Sequence, residues 1–405
     1  MKSLVLIILN LFIFFSCRQS EEEGNLMPEL FGDWVPTELN NKSNGSSMNL
    51  DSHPPLIGFA KLGFTFDSTG LVDIKRGYFK IVGGPERSKR RYHFLGLKTK
   101  YYVKGDSLKI FDLSDSTWWS QKIIQITKDT LTLSSSPGEW RKFVRKEYKV
   151  NVKPTFDKII VSTSGCYGSC PVSNTMINSN GKVTFFGERY TLKTVFFEGI
   201  ISQSIYQDLE KNFRKIDIDS ISTNFNIGST DQEEITVTFI KGDSIYKTIS
   251  DYGNAGPQEL IWAFIPFRFL YQKINLKPLP KTNLPFYPAL NFLKFEMGKK
   301  ELVLPQSESF LLWDYLRKGK ISNKTVKKRF NLGFELNYTW FPSVEEENNG
   351  QGYNIEPNKA LKEIITDGQL FQFLLEGKEP VTIDLGFNFF DRNYSIKDFK
   401  LKEYY

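Results

Sequence analysis

The sequence predicts a multi-domain chain in which an N-terminal all-β barrel or sandwich is followed by α+β domains with antiparallel sheets. Short apolar stretches separated by turn residues recur from residue 30 to residue 150, a spacing typical of a sandwich or barrel. Two hairpins and an amphipathic helix occupy residues 155–275. A segment with four prolines, residues 276–288, reads as a stiff linker before a C-terminal α+β region, residues 289–405.

Residues 1–17 form a short apolar segment with one positive charge. Lys2 precedes an apolar run over residues 4–15, which is shorter than the ~20 residues of a permanent membrane span. The run ends in Phe14-Phe15-Ser16-Cys17, with a small residue before the cysteine. These residues resemble a bacterial lipoprotein signal peptide with its lipobox. The resemblance implies cleavage before Cys17, lipidation of Cys17 by palmitate-type chains and a lipid bilayer as partner. A plain secretory peptide is the alternative.

Residues 18–29 are polar and are predicted to form a tether. Glu21-Glu22-Glu23 lies within six residues of Cys17 and resembles the acidic surface-export signals of some Gram-negative lipoproteins. A solvated linker is the alternative interpretation of this charge run. We therefore expect a lipid-anchored protein of the bacterial outer membrane, exposed on the cell surface or otherwise facing the periplasm.

Residues 30–150 open with Phe31-Gly32-Asp33-Trp34 and continue as predicted hairpins. The paired segments are residues 62–66 with 71–74, 101–103 with 107–111, and 123–126 with 130–133. The G-x-W start and the meander order resemble lipocalin-like domains of bacterial lipoproteins, which implies a barrel that encloses a ligand or is filled by side chains.

The basic run over residues 87–91 either meets phosphates of lipid headgroups or polysaccharide, or is a solvated loop.

Two of the three cysteines lie in one stretch, Ser164-Gly165-Cys166-Tyr167-Gly168-Ser169-Cys170-Pro171. The glycines oppose a helix, and the proline favours an extended residue before it, so the stretch predicts a tight turn. In an oxidising compartment we expect a structural disulfide between Cys166 and Cys170. A redox-active pair and a Cu(I) or zinc site are the alternatives. The C-x-x-x-C-P run resembles a copper-chaperone motif, but that family adds a downstream histidine, and no histidine follows His93.

The remaining pattern of residues 155–275 predicts hairpins over 172–186 and 235–249, a helix over 202–214 and a helix beginning near Pro257. With Asp251-Tyr252-Gly253-Asn254-Ala255-Gly256-Pro257, the G-C-Y-G-x-C-P motif makes residues 156–274 resemble an uncharacterised domain family of bacterial lipoproteins. The resemblance implies location and fold, without an activity. Tyr167, Asp251 and Tyr252 form either a polar cluster beside the turn or a structured turn in which Asp251 caps backbone amides.

The C-terminal region is predicted to contain a helix capped by Ser307, a strand over residues 331–341, helices over 358–365 and 368–375, and a strand over 381–389. Trp340-Phe341 precedes an acidic loop. These two aromatic residues either bind sugar or peptide or belong to the core.

The composition argues against several functions. The net charge of +7 over 405 residues is too small to indicate a nucleic-acid partner. No P-loop, Rossmann fingerprint or H-E-x-x-H motif is present, so we predict no cofactor, no metal and no catalytic residue. The favoured function is non-enzymatic binding or scaffolding at the envelope, with an envelope protein or polysaccharide as ligand. The alternatives are a thiol–disulfide or Cu(I) role of Cys166 and Cys170, and hydrolysis of envelope polymers.

Overall fold

The computed structural model describes residues 25–40, 62–84, 86, 89–150, 155–279, 284, 290, 293–334 and 360–402. These residues form one closed eight-stranded barrel and two open eight-stranded sheets. The predicted fold class, an N-terminal barrel followed by regions built on antiparallel sheets, is confirmed. Cys17, Glu21-Glu22-Glu23 and Trp340-Phe341 lie outside the described residues, so the predictions about them are not tested by the fold.

The barrel is an up-and-down meander in which each strand pairs with the next and β1 pairs with β8 to close the ring. Inward side chains of large size fill it, including Trp34, Phe64 and Phe143, each fully buried. The three predicted hairpins are present. The strands are β1 Gly32–Asn40, β2 Phe64–Phe66, β3 Leu71–Val82, β4 Arg91–Lys104, β5 Ser107–Asp112, β6 Thr117–Ile126, β7 Thr130–Ser136 and β8 Glu139–Lys146.

The central region forms a sheet in the order β13-β15-β14-β9-β10-β11-β12-β16, and helices α1 and α2 contact each other. The strands are β9 Lys158–Thr163, β10 Val172–Asn178, β11 Lys182–Arg189, β12 Val195–Ile200, β13 Asn224–Asn226, β14 Glu234–Lys241, β15 Ser244–Tyr252 and β16 Leu276–Pro278. The helices are α1 Gln203–Phe213 and α2 Gln258–Arg268. Strand β16 corrects the predicted linker, because its three residues pair with β12.

Both helices of the central region lie where the sequence predicted them, with small corrections. Ser202 is the N-cap of α1 and accepts a hydrogen bond from the amide of Ile205. Ile205 is exposed, because the buried face of the helix runs through Tyr206, Leu209 and Phe213. Pro257 occupies the N-cap of α2 rather than its first turn.

The C-terminal region forms a sheet in the order β19-β23-β22-β21-β20-β17-β18-β24. Its strands are β17 Lys294–Met297, β18 Lys300–Val303, β19 Lys320–Ile321, β20 Phe330–Gly333, β21 Leu361–Thr366, β22 Leu370–Leu375, β23 Val381–Asp384 and β24 Lys400–Leu401. Its helices are α3 Gln306–Lys318 and α4 Phe389–Asn393. Short 3₁₀ turns occupy Pro28–Leu30, Leu270–Gln272 and Ile396–Asp398.

Two predicted helices of this region are wrong. Residues 361–366 and 370–375 are strands that pair antiparallel across a turn, where Gly368 has a φ of 99°. The Asp367 carboxylate accepts hydrogen bonds from the amides of Gln369 and Leu370 and fixes this turn. Ser307 lies inside α3, whose N-cap is Pro305. The strand predicted over residues 381–389 ends at Asp384.

The three regions share hydrophobic cores. Phe79, Tyr92 and Phe94 of the barrel belong to the core cluster of the central region. Met176 and Phe186 of the central region belong to the cluster that contains α3 and the C-terminal sheet. The core contacts therefore cross both region boundaries.

Within the described residues, no helix combines the length and the apolar character needed to cross a membrane.

Candidate functional site

The turn between β9 and β10 carries the two cysteines that the sequence singled out. Cys166 and Cys170 form a disulfide, with 5.7 Å between their Cα atoms. Cys170 is buried in the core of the central region, whereas Cys166 is only partly buried. The predicted pairing of these two cysteines is therefore present, and the ring that it closes has one buried and one partly accessible sulfur.

Hydrogen bonds fix the turn on several sides. The amide of Ser164 donates to the carbonyl of Glu234 at 2.9 Å, and the Ser164 hydroxyl accepts from the Glu234 amide at 2.9 Å. The Tyr92 hydroxyl of the barrel shares a hydrogen bond of 3.1 Å with the Ser169 hydroxyl. These contacts leave the backbone of the turn little freedom, because both β14 and the barrel hold it.

A buried ion pair lies against the end of the turn. The Arg268 guanidinium donates to both carboxylate oxygens of Glu233, at 3.0 and 2.6 Å, and the two side chains are 3% and 0% exposed. Arg268 also donates to the carbonyl of Pro171 at 3.0 Å. Burial raises the pKa of Glu233 to about 8, against the opposing effect of Arg268. The pair thus joins α2, the segment before β14 and the turn.

The sequence alone does not predict this pair. Glu233 sits in a polar stretch between turn residues and has no distinguishing neighbour. Arg268 carried a usable signal, because it is the one charged residue at the end of the apolar run 260–270. A lone arginine in such a run indicates a buried partner, since arginine is rarely buried unless it is paired.

The three residues predicted as a polar cluster beside the turn, Tyr167, Asp251 and Tyr252, make separate contacts. Asp251 is buried, and its carboxylate caps the amides of Ala255 and Gly256 at 2.7 and 3.2 Å, which is the alternative that the sequence left open. Burial raises the pKa of Asp251. Tyr252 follows in the same strand and therefore points to the opposite face. Its hydroxyl accepts from the Gln232 amide at 3.0 Å.

Tyr167 faces solvent at the tip of the turn. Its side chain is 75% exposed, while its amide donates to the carbonyl of Asp231 at 3.1 Å. An exposed ring on a backbone held by hydrogen bonds suits a recognition residue, since little backbone entropy is lost on binding.

A second loop lies beside the turn and contributes basic and aromatic side chains. The guanidinium of Arg189 approaches Gly165 so closely that a Cβ there would lie 3.0 Å from it. Arg189 and Arg91 lie 5.9 and 5.7 Å from the ring centre of Tyr190. We refer to Tyr167, Arg189 and Tyr190 as the turn surface, and Arg91 beside it is buried.

The segment after β11, which carries Tyr190 of the turn surface, contains two residues with unusual backbone angles. Tyr190 has a φ of 55° and Val195 a φ of 70°, which is rare for a β-branched residue. Such backbone outliers concentrate at functional sites, because the surrounding structure must maintain them. Chemically, guanidinium groups beside aromatic rings suit recognition of carboxylates or phosphates.

The two methionines that could add soft thioether ligands to a thiolate metal site lie away from the cysteines. Met176 and Met297 belong to the core of the C-terminal region, whereas both cysteines belong to the core of the central region. Among the described residues, no three or more His, Cys, Asp or Glu side chains are grouped so that they could hold a metal ion. His93 is exposed on the barrel, and His53 lies outside the described residues.

We expect the double variant Cys166→Ser with Cys170→Ser to fold and to lose ~1–3 kcal/mol of unfolding free energy, because the ring is small and the core around it is large. Urea denaturation measures the loss, and thiol titration of the mature protein without reductant should detect no free thiol. A redox or Cu(I) role predicts the reverse: unchanged stability, with loss of thiol exchange or of Cu(I) binding. Ser164→Thr, which keeps the hydroxyl at the same turn, is the matched control.

Residues 157–271 match the family DUF6438, a domain of unknown function. No curated protein matches the chain. The match agrees with the uncharacterised domain family predicted for residues 156–274. It spans the disulfide turn, the buried Glu233–Arg268 pair and the loop that carries Tyr190, so all of these features lie within the matched residues.

Proposed function

We propose that this chain is a lipid-anchored envelope protein with a non-enzymatic binding or scaffolding role, and that the turn surface recognises an acidic segment of an envelope protein. The observation that carries the proposal is the exposed Tyr167 on a backbone held by a disulfide and by hydrogen bonds from two regions.

The composition of the turn surface supports binding. Tyrosine and arginine are the residue types that most often dominate the energy of protein interfaces. The guanidinium of Arg189 lies 5.9 Å from the ring centre of Tyr190, so an aromatic ring supports it, which favours contact with a carboxylate. Because the turn is already ordered, binding costs little conformational entropy there.

The N-terminal segment supports the anchoring. Lipidation of Cys17 would place the protein on the outer membrane, and Glu21-Glu22-Glu23 favours exposure on the cell surface. Gly32, where β1 begins, follows Cys17 by fifteen residues, which span at most about 50 Å when extended. The barrel would therefore lie close to the bilayer, with the turn surface attached to it through the Tyr92–Ser169 contact.

A photoactivatable amino acid at position 167 tests the proposal in intact envelopes. We expect one discrete protein adduct that poly-L-glutamate suppresses and poly-L-lysine does not, and that Arg189→Gln weakens. The matched control carries the same photoprobe at Ile200, which is 79% exposed in the same region. Cys17→Ala should remove the protein from the membrane fraction and abolish the adduct.

Three outcomes would contradict the proposal. Equal adducts at positions 167 and 200 would show non-specific contact. A protease-resistant adduct would assign a polysaccharide ligand in place of a protein. Retention of the Cys17→Ala variant in the membrane fraction would remove the lipid anchor.

A further inference from the structure

A cavity of about 140 Å³ lies between the outer face of the barrel and the two long helices of the central region. It shares no lining residue with the turn surface. Pockets between domains are frequent sites for small ligands, because two surfaces supply groups that neither offers alone. The lining of this cavity contains acidic side chains, basic side chains and an apolar wall.

Three adjacent barrel strands form one side of the cavity. Thr65 pairs laterally with Asp33 on one side and with Asp73 on the other, so their side chains emerge from the same outer face. Lys75 lies two residues after Asp73 on this face, and its ammonium lies 3.3 Å from the Asp33 carboxylate. The Thr65 hydroxyl also donates to Asp33. The Asp33 carboxylate is thus already paired with Thr65 and Lys75.

The helices and the segment after the barrel form the opposite side. The Tyr148 hydroxyl donates to the Glu259 carboxylate at 3.3 Å, and the Lys215 ammonium lies 5.1 Å from the ring centre of Tyr148. Burial, followed by the nearby Glu259, raises the pKa of Tyr148, so its hydroxyl stays protonated and remains a donor. Trp262 forms the apolar wall, and Gly63 lets it approach the barrel, because a Cβ there would lie 2.6 Å from the indole.

Two charged groups of the cavity differ from the rest in their partners. Within the part of the chain that the structure describes, neither the Lys215 ammonium nor the Asp73 carboxylate forms an ion pair or a side-chain hydrogen bond, whereas Asp33 pairs with Lys75 and Glu259 accepts from Tyr148. Burial and then the neighbouring Lys75 lower the pKa of Lys215, while Asp33 and Asp73 act in the opposite direction. A ligand carboxylate beside Lys215 and Lys75 would relieve this repulsion, and a ligand ammonium would pair with Asp73.

We propose that the cavity binds a small zwitterion of the α-amino acid class, with its carboxylate on Lys215 and Lys75, its ammonium on Asp73 and its side chain against Trp262. A cavity of this size holds a molecule of roughly six to ten non-hydrogen atoms. A simple anion is disfavoured because three carboxylates line the cavity, and a simple cation is disfavoured by the two lysines.

Calorimetric titration of the purified full-length protein with glycine, L-alanine and L-leucine tests the proposal. We expect saturable binding of L-alanine or L-leucine. N-acetyl-L-leucine and L-leucinamide, which each lack one charge, should bind at least about tenfold more weakly, because each loses a charge-assisted hydrogen bond. This ligand series is decisive with the unmodified protein alone.

The variants Lys215→Met and Asp73→Asn should each abolish the titration signal while the ligand-free melting temperature is kept. Lys128→Met and Asp129→Asn, exposed residues of the barrel outside the cavity lining, are the matched controls and should bind as the unmodified protein does. Absence of binding by all three amino acids would overturn the proposal. So would equal binding of acetate, inorganic phosphate and L-leucine, or an equal loss of binding in the control variants.

Discussion

Replacing Arg268 with methionine should cost about 3–5 kcal/mol of unfolding free energy above about pH 8, where Glu233 is ionised in the folded protein, because the substitution leaves the Glu233 carboxylate buried without its partner. The geometry explains the size of the effect: two hydrogen bonds, at 3.0 and 2.6 Å, join side chains that are almost completely removed from water. Chemical denaturation followed by circular dichroism measures the change. The same variant removes the hydrogen bond to the carbonyl of Pro171, so the disulfide should also be reduced faster by dithiothreitol.

The penalty should depend on pH in a defined direction. The pKa of Glu233 is raised from 4.5 to about 8 in the folded protein, so between these values the native state holds a proton that the unfolded state releases. Stability therefore falls as pH rises through this window. Without Arg268 the pKa of Glu233 rises further, because the opposing positive charge is gone. The destabilisation of Arg268→Met should thus be larger at about pH 9 than at about pH 6.

Two further variants separate the ion pair from ordinary packing. Glu233→Gln combined with Arg268→Met should cost less than Arg268→Met alone, because no buried charge remains. Lys182→Met breaks an exposed pair with Glu198 and should cost less than about 1 kcal/mol. If Arg268→Met lowers the unfolding free energy no more than Lys182→Met does, the buried pair is not a stabilising element.

Trp313→Ala should cost about 3–5 kcal/mol of unfolding free energy, because it removes a fully buried ring from the boundary between the central and C-terminal regions. The indole stacks on Phe196 at 4.1 Å between ring centres, and Phe196 stacks on Phe186 at 4.1 Å. Phe186 and Phe196 belong to the central sheet, whereas Trp313 belongs to α3. The substitution should therefore weaken both regions.

The urea midpoint and hydrogen exchange in β12 measure this effect, and the exchange of barrel amides provides an internal reference. Trp118→Ala is the matched control, since this tryptophan is 42% exposed on the barrel and should cost about 1 kcal/mol or less. Unchanged exchange in β12 would mean that the stacked rings do not couple the two regions.

Local turn chemistry made much of the fold predictable. The barrel hairpins and both central hairpins follow from short apolar runs on either side of turn residues. The two wrongly predicted helices of the C-terminal region also come from relying on local patterns. Leu361, Ile364 and Ile365 fit helical spacing, and short apolar runs are ambiguous between helix and strand. Pairing with distant strands β20 and β23 decides the outcome, although the Asp367-Gly368 dipeptide was a hairpin signal.

The candidate site was predictable only in part. The cysteine pairing depends on residues four positions apart and on local backbone preferences, so the sequence contains it. The turn surface and the cavity depend on which distant segments meet. Arg91 and Arg189 come from different regions, as do Lys75 and Lys215, and no local pattern reveals such contacts. Arg91 is the last residue of the basic run over residues 87–91, and its contact with Tyr190 is not apparent from that run alone.

The outermost strands of the two open sheets limit how this protein can meet other chains. Strands β13, β16, β19 and β24 have only two or three residues each. The part of β15 beyond β13 is also covered, because Lys247 bonds the carbonyls of Asp219 and Ile221 across it, and Asn393 accepts from the amide of Ile245. Within the described residues, neither sheet offers a long free edge on which an extended peptide can add as a new strand. Recognition of a partner chain by these two sheets would therefore depend on side-chain contacts and not on added backbone pairing.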